Sequence, residues 1–196
     1  MSRTLSPAVR AALDAAVDEL AYADGWHAVT LDEICARAGV SKPAVYRHVG
    51  TRDELLLDYL DRRRARRMAT LRAAMEAAGD DPRDRLEALL FFYVTWIGDP
   101  AFAGCGFHRA LQQRSPSQPA VRARTVAYKA ELHDLLATEV ARIGRPASVA
   151  DHLFLLVEGA LAAGAYDDPS IVTGRLAAAF HDALDAPGAP GGVIRR

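Results

Sequence analysis

Ile34-Cys35-Ala36-Arg37-Ala38-Gly39-Val40-Ser41-Lys42-Pro43-Ala44-Val45-Tyr46-Arg47-His48-Val49-Gly50 is the stretch on which the fold turns. It reads as the end of one short helix, a three-residue turn and a second short helix. Upstream, Thr30 and Glu33 have capping-box spacing, Leu31, Ile34 and Ala38 make a buried stripe, and Gly39 closes the helix. Ser41 is the cap of the next helix, Pro43 falls in its first turn where a missing donor costs least, and Gly50 ends it. Val45 and Val49 are four apart and apolar, so they face inward. That leaves Lys42, Pro43, Tyr46 and Arg47 on the opposite surface.

Two short helices joined in this way match a helix-turn-helix, whose second helix enters the DNA major groove while the first crosses the backbone. Charge agrees locally. From Ile34 to Arg52 there are four cations (Arg37, Lys42, Arg47, Arg52) and no carboxylate, with Asp32, Glu33, Asp53 and Glu54 on the flanks. The window is a candidate phosphate-facing surface. Over the whole chain 24 Lys and Arg meet 25 Asp and Glu, which excludes a polycation that coats nucleic acid by charge alone.

Outward from this segment the apolar residues recur at three and four residue spacing almost throughout, and no alternating pattern is long enough for a strand. An all-α fold is expected, with a three-helix DNA-binding domain over residues 1–52 and a helical bundle over 53–196. The first helix starts at Ser6 and Pro7, buries Leu13, Val17 and Leu20, and stops at Asp24-Gly25. Thr51 and Glu54 form a second capping box, opening a long helix through Leu55, Tyr59, Met68 and Met75 to the break at Gly79-Asp80-Asp81-Pro82. The next helix carries Leu86, Leu89, Leu90, Tyr93 and Ile97 on one stripe and Phe92 and Trp96 on another. It is predicted to be apolar nearly all round and central. A short helix from Phe102 to Gln113, a break at Ser115 to Pro119, and helices over about 120–143, 149–165 and 170–184 follow, with a frayed tail from Ala186.

The 196 residues, 51% of them apolar, suffice for a real core. Leu153 to Tyr166 is too short for a membrane span and carries Glu158, and the first residues lack a secretory pattern. A cytoplasmic protein away from membranes is expected. Cys35 and Cys105 lie 70 positions apart without a CxxC or His-rich companion, so neither a disulfide nor a zinc module is signalled. Cys105 and His108 share a helix face, yet no orienting third group or further ligand accompanies them. No enzyme, metal or cofactor is expected.

Gly25-Trp26-His27-Ala28-Val29-Thr30-Leu31, Ile34 to Ser41, Ala44 to Val49, Arg52 and Leu55 together resemble the DNA-binding domain of the TetR (tetracycline repressor) family, over about fifty residues without a gap. The departures are Cys35 for a usual Ala, Pro43 for Gly, Val49 for Phe and Arg52 for Lys. The resemblance implies phosphate contacts from Thr30, Ser41, Tyr46, His48 and Arg52, and base-edge contacts from Lys42, Pro43 and Arg47. Hydroxyls, helix N-termini and cations suit phosphate, Arg forks onto guanine, and a proline ring packs on a thymine methyl. For His48 a solvated residue at a helix end is an equal alternative.

The resemblance also implies that the bundle binds a small effector and dimerises. Candidate pocket residues are Phe92, Trp96, Cys105, His108, Tyr128, Phe154 and Glu158, with plain core packing as the alternative for each aromatic. Glu158, a carboxylate in an apolar helix, needs a partner or a cavity. The run Arg62, Arg63, Arg64, Arg66, Arg67 reads as a solvated face paired locally with Asp58 and Asp61. Stripes on the last two helices (Leu153, Val157, Leu161; Val172, Leu176, Phe180) suit a four-helix dimer interface, though packing within one chain would give the same stripes. The expected function is a ligand-responsive regulator, a homodimer through the last two helices, released from a palindromic double-stranded DNA operator by a small apolar molecule. The alternatives are a constitutive dimeric DNA binder without effector, or a helical enzyme or scaffold that retains the motif for packing.

Overall fold

The structure is a computed structural model and describes residues 5–112 and 117–186. The opening residues to Thr4, Gln113 to Pro116 of the expected helix end and break, and the tail beyond Ala186 lie outside the described residues. Among the described residues every regular element is a helix: α1 (Pro7–Ala23), α2 (Leu31–Ala38), α3 (Lys42–His48), α4 (Arg52–Ala77), α5 (Pro82–Ile97), α6 (Gly106–Leu111), α7 (Gln118–Arg142), α8 (Ala147–Ala163) and α9 (Pro169–Asp185). None of them is long and apolar enough to cross a membrane.

The helix starts follow from local chemistry. Ser6 Oγ accepts from the Val9 N–H and Pro7 opens α1; Asp81 and Asp168 cap α5 and α9 in the same manner, each followed by a proline. Both capping boxes form. Thr30 Oγ1 accepts from the Glu33 N–H at 3.2 Å while Glu33 reaches back to the Thr30 N–H at 2.7 Å, and Thr51 and Glu54 repeat the arrangement. Ser41 differs from expectation: it occupies the N-cap of α3 but its side chain makes no capping hydrogen bond. The turn between α2 and α3 depends on Gly39, whose φ of +65° is a conformation that a β-carbon disfavours.

The chain divides into two compact units. The first comprises residues 1–66 and 105–126, the second 67–104 and 127–196, so α4 and α7 each contribute residues to both. In the first unit α1 packs on α2 and α2 on α3, around fully buried Leu13, Val17, Ile34, Val45, Leu55 and Leu60. Three arginines of the expected solvated face, Arg62, Arg63 and Arg66, reach across to α1 instead of to Asp58 and Asp61 on their own helix. Arg62 forms an ion pair with Asp14 at 2.9 Å and donates through Nη2 to Asp18 at 3.1 Å on α1, Arg66 meets Asp18, and Arg63 lies 4.1 Å over the Tyr22 ring. Asp58 is taken by Arg10 and Asp61 by Arg124. Asp14 and Asp18, one turn apart on α1, draw these guanidiniums across to the neighbouring helix, which spacing within α4 does not reveal.

In the second unit α8 packs on α9, and both contact α5. The stripe Leu86, Leu89, Leu90, Tyr93, Trp96 and Ile97 is buried as expected, but α5 is not enclosed all round, because Phe91 is 70% exposed. Gly164, at the end of α8, admits close approach: a β-carbon there would lie 2.9 Å from Ile97 and 3.0 Å from Phe102. The expected helix from Phe102 begins only at Gly106, since Phe102 instead turns its ring edge-on to Trp96 at 5.4 Å and Gly104 adopts φ +82°. Glu139 is 2% exposed and binds Arg85 at 2.7 Å and Arg142 at 2.5 Å. Those guanidiniums also bond the Met75 and Asp80 carbonyls, tying α7 to the connection between α4 and α5.

Candidate nucleic-acid interface

α3 is anchored from below and open above. Val45 is completely buried, while Ser41, Lys42, Pro43, Tyr46 and Arg47 are exposed and His48 and Val49 are half-buried. Tyr46 shows 58% of its surface, unusual for an aromatic without a partner to meet. Among the described residues no side chain pairs with Arg47, so its five donors stay available. A helix two turns long presenting a ring, a hydroxyl and a free guanidinium on one side has the dimensions and chemistry to lie in a major groove.

The other candidates are already engaged. The Thr30 hydroxyl donates to Glu33 at 2.8 Å as part of its cap, and those bonds hold the Glu33 carboxyl below its ordinary range. Lys42 Nζ donates to Asp32 Oδ2 at 2.7 Å, with Oδ1 equally near, and this partner raises its proton affinity. Arg37 pairs with Glu19. Arg52, half-buried, donates through Nε to the Val29 carbonyl at 2.9 Å and through Nη2 to the Trp26 carbonyl, and lies 4.6 Å over the Trp26 ring. Burial pulls its affinity for a proton down, although a guanidinium remains charged. The fork thus staples the α1–α2 connection to the start of α4. Asp32 and Trp26 carried no signal as site residues, since their partners lie across a turn.

Of the candidate pocket residues, Cys105 and His108 belong to the first unit and Phe92, Trp96, Tyr128, Phe154 and Glu158 to the second. In the second unit the Arg67 guanidinium sits 3.3 Å from the Trp96 ring centre and 5.4 Å from that of Phe92. Tyr128 is buried, and Phe154 meets His133 edge-on at 5.6 Å. Glu158 has its partner in Lys129 at 2.5 Å, both nearly buried.

A three-helix unit that buries one face of a short helix and bares the other, after a glycine turn, defines a helix-turn-helix protein. Residues 12–59 match the sequence profile of the bacterial regulatory proteins of the tetR family. The solved structure of a TetR-family transcriptional regulator from Streptomyces coelicolor superposes with a TM-score of 0.84 at 28% identity, over 90% of this chain and 88% of that one. A putative TetR transcriptional regulator from Streptomyces avermitilis gives 0.70 at 27% identity, over 89% of this chain and 97% of that one. The HTH-type transcriptional activator FasR of Mycolicibacterium smegmatis is 37% identical over 82 residues, 42% of this chain, and the match spans only 37% of that relative's length. Residues 12–59 thus carry the domain typical of the tetR family of bacterial regulatory proteins, and over most of its length the chain is similar in fold to TetR-family transcriptional regulators.

Proposed function

We propose that the protein regulates transcription by binding a palindromic operator as a homodimer through α3, and that a small apolar molecule releases it. The outward row of α3 carries this reading, with Arg47 unpaired among the described residues and Tyr46 bare above a fully buried Val45. The relatives are transcriptional regulators, which supports a non-enzymatic role.

Support for a homodimer comes from the α8–α9 face. A mostly apolar groove of about 280 Å³ runs between the two helices over Gly159, Ala163 and Ala179, lined also by Leu155, 64% exposed, and by Arg175. An open, mostly apolar groove on this surface suits a second copy about a two-fold axis. The effector is placed among Phe92, Trp96, Tyr128, Phe154 and the Glu158–Lys129 pair, with α4 carrying the change because its residues belong to both units.

Selecting duplexes from a random-sequence pool tests the DNA reading. The protein should enrich an inverted repeat at physiological salt and Arg47→Ala should not. Enrichment of nothing overturns the reading. Screening apolar compounds for a raised Tm and release of the selected duplex tests the effector, and release by none leaves the constitutive binder. Reporter transcription from the selected site separates repression from the activation exercised by the mycobacterial relative.

A further inference from the structure

The pairing of Lys42 with Asp32 has consequences for which base is read. The pair joins the first turn of α2 to the first residue of α3, and both side chains face solvent. A lysine stem has many rotamers, and holding it before binding removes part of their entropy cost from the binding step. The ammonium lies 2.7 Å from both Asp32 oxygens, and with three N–H donors at least one remains for a base. A guanine presents two acceptors, O6 and N7, in the major groove, whereas an adenine offers one acceptor beside a donor. The carboxylate has a second effect: by offsetting the charge of Lys42 it weakens the attraction of this face for phosphate on any sequence, so that the base contact carries a larger share of binding.

From this we infer that Asp32 is a specificity-determining residue, acting through Lys42, which it aims at a guanine of each half-site while disfavouring DNA that lacks that base. The inference rests on the proposed reading of α3 as the DNA-contacting helix. Asp32 is a positioning residue here and does not itself touch a base.

The test compares the full-length protein with Asp32→Asn, Lys42→Met and the double variant. Each is titrated against a duplex selected by the wild type, its single-base variants and a scrambled duplex of equal composition. Both residues are exposed, so Tm should move little and serves as the folding control. Asp32→Asn should bind the scrambled duplex about two- to threefold tighter and lose about fivefold of its preference at one G·C position per half-site. Lys42→Met should abolish preference at that same position, and adding Asp32→Asn to it should change nothing further there. The inference is overturned if Asp32→Asn leaves every base preference intact, or tightens selected and scrambled duplexes alike. A wild type that selects no sequence brings down the DNA-binding reading, and this inference with it.

Discussion

Arg47 and Tyr46 are adjacent on α3 and both bare, yet their chemistry assigns them different work. A guanidinium forks onto a base edge, so Arg47→Ala is expected to cost about 1–3 kcal/mol per site and relax one base position of each half-site. A phenol hydroxyl suits a phosphate oxygen. Tyr46→Phe should therefore weaken selected and unrelated DNA about equally and leave the salt slope unchanged, because the lost group is uncharged. Binding of both variants to the selected duplex, single-base variants and unrelated DNA reads the difference; equal losses for Arg47→Ala on all three would reverse the roles. Arg52 is expected to behave unlike a phosphate anchor, since the Trp26 and Val29 carbonyls hold its fork. Arg52→Lys keeps the charge but loses the fork and should destabilise the protein by about 1–3 kcal/mol. Arg52→Met should leave the slope of log K against log[salt] unchanged. A slope shallower by about one would show a phosphate contact instead.

At the scale of elements, Glu139 is the sharpest test of what holds the second unit. Glu139→Ala leaves the Arg85 and Arg142 guanidiniums without their shared carboxylate and should cost about 3–5 kcal/mol in urea unfolding. Asp61→Asn, which removes an exposed partner of Arg124, should cost under about 1 kcal/mol. Similar losses for the two would refute the view that burial sets the difference. The helices themselves were legible, because proline starts, capping boxes and glycine stops act within a few residues: Thr30 with Glu33, Thr51 with Glu54, Asp81 with Pro82. The outward row of α3 was readable too, once Val45 identified the buried side. What escaped lies across helices. The staple of Arg52, the hold of Asp32 on Lys42 and the reach of Arg62 to α1 join residues 10 to 48 positions apart, and spacing carries no signal for such pairs. Phe102 left its helical pattern because Trp96 gives it an aromatic edge to pack on and Gly104 permits the turn.

At the scale of the whole molecule, the proposal requires two copies. Leu155→Arg, which puts a second charge in the lining of the α8–α9 groove, should convert a dimer to a monomer in sedimentation and reduce operator affinity by at least tenfold while leaving helix content unchanged. A monomeric wild type, or a dimer indifferent to the change, would move the interface elsewhere or remove it. Hydroxyl-radical footprinting of the wild type on its selected duplex at physiological salt tests the central claim most directly. Two protected patches related by two-fold symmetry, their centres about one helical turn or ~34–36 Å apart, are predicted, because each copy places one α3 in a successive major groove. A single asymmetric patch, or no protection, would contradict the account.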